Sequence, residues 1–120
     1  MQVERRIDLD NLDLDQAALL VDQRRRRWSA AGITVARITW MDAHDGWPRP
    51  LYENRRLVRR PMSLGLELDG TGGSAWIVLY AGGWADVDLM VGDADPVAEY
   101  VEPATVAEFG PLLDRVSDRL

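Results

Sequence analysis

The stretch that decides the fold is PMSLGLELDGTGGSAWIVLYAGGWADVDLMV, residues 61–91. Met62, Leu64, Leu66 and Leu68 alternate with Ser63, Gly65 and Glu67, the period-two pattern of a β-strand with one face turned to a core. Asp69-Gly-Thr-Gly-Gly73 supplies the residues of a hairpin connection. Ser74–Tyr80 (SAWIVLY) is apolar on both faces and reads as a central strand, with Trp76 fitting a core position. Gly82-Gly83 turns the chain again. In Trp84–Val91 the residues Ala85, Val87, Leu89 and Val91 point one way, and Trp84, Asp86, Asp88 and Met90 point the other. The first set asks for a covering layer. The second makes a wet, acidic face with an aromatic residue on it.

Working outward, Val97–Val101 is a further short strand that Pro103 ends. Thr105 and Glu108 then form a capping box ahead of the apolar stripe Phe109, Leu112, Leu113, Val116 and Leu120. Pro111 places the regular part of this closing helix from 111 onward, after a short turn at 104–109. On the other side, Ile33–Trp40 is rich in β-branched residues and reads as the first strand. Ahead of it lies a helix over 14–31, capped by Asp13 with Gln16 three residues on, and closed by Gly32 in the left-handed conformation. Ala17, Leu20, Val21, Trp28 and Ala31 share one face of that helix, and the apolar stem of Arg24 covers the core edge of the same stripe.

Residues 41–61 (MDAHDGWPRPLYENRRLVRRP) hold three prolines and no sustained period. They read as a long loop with a short strand at Leu57–Arg59. The fold class that follows is α+β. One domain over 1–120 contains an antiparallel meander of four to five strands, with an N-terminal and a C-terminal helix on one face and the other face open.

Composition removes many chemistries. The 120 residues are 47% hydrophobic and 28% charged, which suits a folded domain rather than a disordered chain. Without cysteine there is no disulfide, thiolate metal site or cysteine nucleophile. All 14 basic residues are arginine, so Schiff-base and phosphate-loop lysine chemistry is excluded too. The single histidine, His44, sits in A-H-D-G-W, which reads as surface loop and cannot build a histidine metal site. Asp86 and Asp88 stand about 7 Å apart on one strand face, a spacing open to acid–base work, yet alternation with Val87 and Leu89 already explains them as the solvent side. Asp93 and Asp95 flank a turn, where aspartate caps its own backbone. The sequence therefore predicts no enzyme, cofactor or metal. Its charged first residues and the lack of a long apolar run predict no leader, no membrane association and a cytoplasmic location.

Charge is divided unevenly. Residues 1–60 carry 12 Arg against 9 acids, and residues 61–120 carry 2 Arg against 11 acids. The Arg24–Arg27 run spreads around its helix and makes no single patch, and the acidic second half repels nucleic acid, so a basic protein partner is the expectation. The candidate partner-binding residues are Trp84 as an apolar anchor, Asp86, Asp88 and Glu67 as the charges around it, and Trp47 in the proline-rich loop.

The helix ending WSAAGITV (28–35), the strand RPMSLGLEL (60–68), the hairpin WIVLYAGGWADVDLM (76–90) and the capped C-terminal helix together resemble small immunity proteins of bacterial polymorphic-toxin systems, most nearly the TriTu-like group. The resemblance spans roughly residues 14–119. It implies a cytoplasmic antidote that binds and occludes a cognate toxin, in that group an ADP-ribosyltransferase acting on elongation factor Tu, and it brings no catalytic residues; a monomer is expected before a dimer. The loop 41–61 is longer and richer in arginine than the group's pattern. An acidic α+β chaperone for a secreted effector shares the size and charge and is the alternative; it would be a dimer with an apolar groove.

Overall fold

Alternation along 61–91 becomes the middle of a six-stranded antiparallel sheet. The strands are β1 (Thr34–Asp42), β2 (Leu51–Tyr52), β3 (Pro61–Asp69), β4 (Gly73–Tyr80), β5 (Trp84–Val91) and β6 (Val97–Val101), in spatial order β2-β1-β3-β4-β5-β6. A computed structural model describes residues 8–120; the first seven residues of the charged lead-in lie outside the described residues. Helix α1 (Leu14–Ala30) precedes the sheet and α2 (Val106–Ser117) follows it. The class is α+β as expected, with six strands in place of four to five.

The additional strand lies inside the loop. Leu51 and Tyr52 pair with Met41 and Trp40, while Arg55–Leu57 is a 3-10 turn capped by Asn54, so the short strand expected at Leu57–Arg59 falls instead at 51–52. Two residues are too few to show a period. The loop is held by Asp42, a residue only 3% exposed. Its carboxylate accepts from the backbone N–H of His44 at 2.9 Å, Arg59 at 2.8 Å and Arg60 at 3.2 Å, which ties both ends of the segment together. Burial pushes this carboxyl up, and the three donors outweigh burial and hold it below the usual carboxylate range.

On the covered face Leu64, Leu66, Leu68, Ile77, Leu79, Val87 and Leu89 are buried beneath Ala17, Val21 and Trp28 of α1 and Phe109, Leu113 and Val116 of α2. Each large apolar side chain buried this way contributes about 1.5–3 kcal/mol. Asp13 caps α1 by accepting from the N–H of Asp15 and Gln16. At the other end Gly32 takes φ +79°, and the N–H groups of Gly32 and Ile33 return to the carbonyls of Ser29 and Trp28, the paired bonds of a Schellman turn. Arg24 keeps its stem against the core and turns its guanidinium to Asp114 of α2, with Nε and Nη2 at 2.8 and 3.2 Å from the two carboxylate oxygens. That guanidinium holds the Asp114 carboxyl below its ordinary value.

Helix α2 departs from expectation at its start. It begins at Val106 and runs through Pro111. The bond forfeited is the one Pro111 would give to the carbonyl of Ala107, and both residues are exposed, on the solvent side of the helix. Thr105 caps the helix through the N–H of Glu108, and the Glu108 side chain reaches back to the N–H of Ala104.

Candidate functional site

Both helices pack on one side, and the opposite face of the sheet is built from the other residue of each alternating pair. The strand register arranges it in rows. Met41, Ser63, Tyr80 and Trp84 form one row; Thr39, Gly65, Val78, Asp86 and Tyr100 the next; Arg37, Glu67, Trp76, Asp88 and Ala98 the third. Successive rows are about 7 Å apart. Asp86, Asp88 and Glu67 thus share the open face, as the sequence predicts, and Val87 and Leu89 face the helices.

The two tryptophans of this face exchange the roles expected of them. Trp84 is only 6% exposed: its ring stacks on Tyr80 at 3.7 Å between centroids and lies 6.0 Å from that of Tyr100. Three aromatic rings from β4, β5 and β6 close over one another there, so Trp84 is not the exposed anchor. Trp76, expected in the core, is half-buried on the open face, because the neighbouring residues Ala75 and Ile77 are the ones that point to the helices. The indole of Trp76 leans across β3 onto Gly65. Its Cζ2 comes within 3.4 Å of the point where a Cβ of residue 65 would stand. The atom that a Cβ at 65 would crowd is Thr39 Oγ1, while the ring edge would stand in ordinary contact with it.

Beside the indole is a depression of about 550 Å³ lined by Arg37, Glu67, Ser74, Trp76, Asp88 and Met90. Glu67 and Asp88 are the direct cross-strand neighbours of Trp76, one on each side. Neither carboxylate has a hydrogen bond or ion pair among the described residues. Arg37, the cation nearest to Glu67 in register, is drawn away to Glu53 at 3.5 Å.

Trp47 is indeed exposed, at 78%, with the Arg49 guanidinium 4.5 Å over its ring. It belongs to the loop that leaves β1 after Asp42, the end of that strand opposite to Arg37, so it is no part of the Trp76 depression. The arginines of that loop have local work. Arg55 binds Asp15 through two bonds of 2.7 and 3.0 Å and lies over the Trp40 ring, and Arg60 reaches Asp10 at 2.9 Å. Arg55 holds the Asp15 carboxyl below its usual value. A second depression of about 310 Å³ beside the start of α1 is bordered by Asp10, Asp13, Asp15, Arg59 and Arg60, and two of its acids are neutralised by these same pairs.

Among the described residues no three histidine, aspartate or glutamate side chains gather to hold a metal ion, and no helix is long and apolar enough to cross a membrane. His44 contributes its backbone N–H to Asp42. Asp93 and Asp95 lie exposed in the β5–β6 turn. The residue that sequence reasoning missed is Trp76. Its signal was parity, since residues 76, 86 and 88 fall on one face once Ala75, Ile77 and Val87 are given to the core. Compared with known protein families, characterised proteins and solved structures, the chain shows no match.

Proposed function

We propose that this protein is an immunity protein that acts in the cytoplasm as a monomer, binding a cognate bacterial toxin and blocking it by occlusion, with the open face of the sheet as the docking surface. One observation carries the reading. Two helices seal one side of the sheet, and the other side presents Glu67 and Asp88 around a half-buried Trp76 with no cation satisfying them among the described residues. Uncompensated charge of one sign speeds encounter with a surface of the other, and an aromatic residue at its centre supplies contact area that slows release. The partner this favours is a toxin domain with a basic face. By the resemblance in residues 14–119, that toxin is an ADP-ribosyltransferase.

The test is to express the reading frame encoded beside this chain in a bacterial host, with and without the chain. The expected result is toxicity alone, protection by co-expression, and a 1:1 complex by light scattering. Glu67→Lys with Asp88→Lys should slow association at least tenfold at low salt and much less at high salt. A neighbouring product that is harmless, or a toxin the chain does not neutralise, overturns the reading. Protection lost through Trp47→Ala or Arg56→Ala and untouched by the Lys pair moves the interface to the loop.

A further inference from the structure

We propose that the Trp76 depression is a receptor for a single arginine side chain of a protein partner, a proposal that rests on the docking reading above and gives it a chemistry. Three features converge on it. The first is the platform. The Trp76 ring leans over β3 with its edge beside Gly65, and it is only partly buried. Indole is the most favourable ring for a cation to lie on.

The second is the pair of carboxylates. Glu67 and Asp88 flank Trp76 in register, and two strand spacings set them about 10 Å apart. A planar guanidinium resting on the ring carries N–H donors at both ends and can meet both carboxylates. The ammonium of lysine is a point charge that can meet one at a time. The arrangement therefore selects arginine. The third is the wall: Met90, more than half exposed in the row beyond Asp88, offers its thioether to the methylenes behind the guanidinium. Arg37 does not occupy the place itself, since its Nε is engaged with Glu53.

Short peptides test this without any toxin. The blocked tripeptides Gly-Arg-Gly, Gly-Lys-Gly and Gly-citrulline-Gly would be titrated into the 15N-labelled protein. The expected result is saturable shifts of the Trp76 indole N–H and of the amides of Glu67 and Asp88 with the arginine peptide, at a dissociation constant on the order of 1 mM. The lysine peptide should bind at least fivefold more weakly, and the citrulline peptide should leave these signals in place. Asp88→Asn, a change at an exposed site, should weaken the arginine peptide at least threefold. Trp76→Leu should abolish the saturable shifts.

Citrulline acting as strongly as arginine, or arginine shifting residues elsewhere and not these, overturns the proposal. The two readings fail separately. Toxin binding that survives Asp88→Asn and Trp76→Leu leaves the immunity reading standing without the arginine receptor, and peptide binding by a chain that neutralises no toxin does the reverse.

Discussion

The two faces of β3, β4 and β5 are written by alternate residues of the same strands, and they answer to different constraints. Toward the helices stand Leu66, Ile77 and Val87, all within 1% of complete burial. Toward the open side stand Glu67, Trp76, Asp86 and Asp88, half-buried or exposed. Position along the chain scarcely separates the two groups, so the contrast measures burial alone. Residues 87 and 88 are adjacent, yet a charge at one would destroy what a charge at the other leaves intact.

The strongest way to break that contrast is Val87→Asp. It puts a carboxylate without a partner under two helices, and the chain should lose at least about 4 kcal/mol, leaving little folded protein in a urea titration followed by circular dichroism. Asp88→Ser, one residue on, should change the midpoint very little. A cooperative transition at the wild-type midpoint for Val87→Asp would show that the covered face is not covered.

Asp42→Ala probes the other buried carboxylate. It leaves the N–H groups of His44, Arg59 and Arg60 without their acceptor, and the expected loss is about 3 kcal/mol. The same residue gives stability a pH dependence of fixed sign. Its folded pKa lies below the unfolded value of about 3.9, so its contribution is fully present above pH 5 and is lost as pH falls through the folded value. Asp15 and Asp114 are shifted in the same direction by their arginines. The gap between the melting temperatures of wild type and Asp42→Ala should therefore narrow as pH falls from about 4 through the folded value. A gap that widens toward low pH contradicts the assignment.

Gly65→Ala acts between the two faces. The added methyl group meets Thr39 Oγ1 and the edge of the Trp76 ring, and crowding of this kind costs about 1–2 kcal/mol. The crowding falls on Thr39, so the Thr39 amide should shift in an NMR spectrum more than the Trp76 indole N–H, with the Trp28 signal in place.

What was legible in the sequence follows the same division. The covered face could be read because alternation and burial coincide: Leu64 through Leu68 and Val87 with Leu89 were placed correctly by period alone. Both helix caps were legible from Asp13 and Thr105. The two-residue strand β2 left no period to read, and the role of Asp42 depends on donors up to 18 residues away that the loop brings back. On the open face parity put Asp86 and Asp88 on the right side, but parity does not report side-chain neighbours. Trp84 is buried by Tyr80 and Tyr100 from adjacent strands, and Trp76 leans onto a glycine of another strand. Both facts belong to the pairing of strands, which no single strand carries.

The smallest effect expected sharpens the comparison most. Glu67→Gln with Asp88→Asn removes two negative charges and keeps the shape of the face. If these carboxylates were structural, their loss would destabilise the fold by an amount typical of a broken buried pair, about 3–5 kcal/mol. Neither has a partner among the described residues, so no bond is lost. What remains is repulsion between two like charges about 10 Å apart, close to the Debye length of roughly 8 Å at physiological salt, and this repulsion opposes folding weakly. The double variant should thus be as stable as wild type or more stable by at most about 0.5 kcal/mol at low salt, with the difference vanishing near 0.5 M salt. Guanidinium is itself a salt and would mask the effect, so the measurement is urea denaturation at two ionic strengths. A loss above 1 kcal/mol would mean that Glu67 and Asp88 hold the sheet together, and a face that holds the fold is not one kept free for a partner.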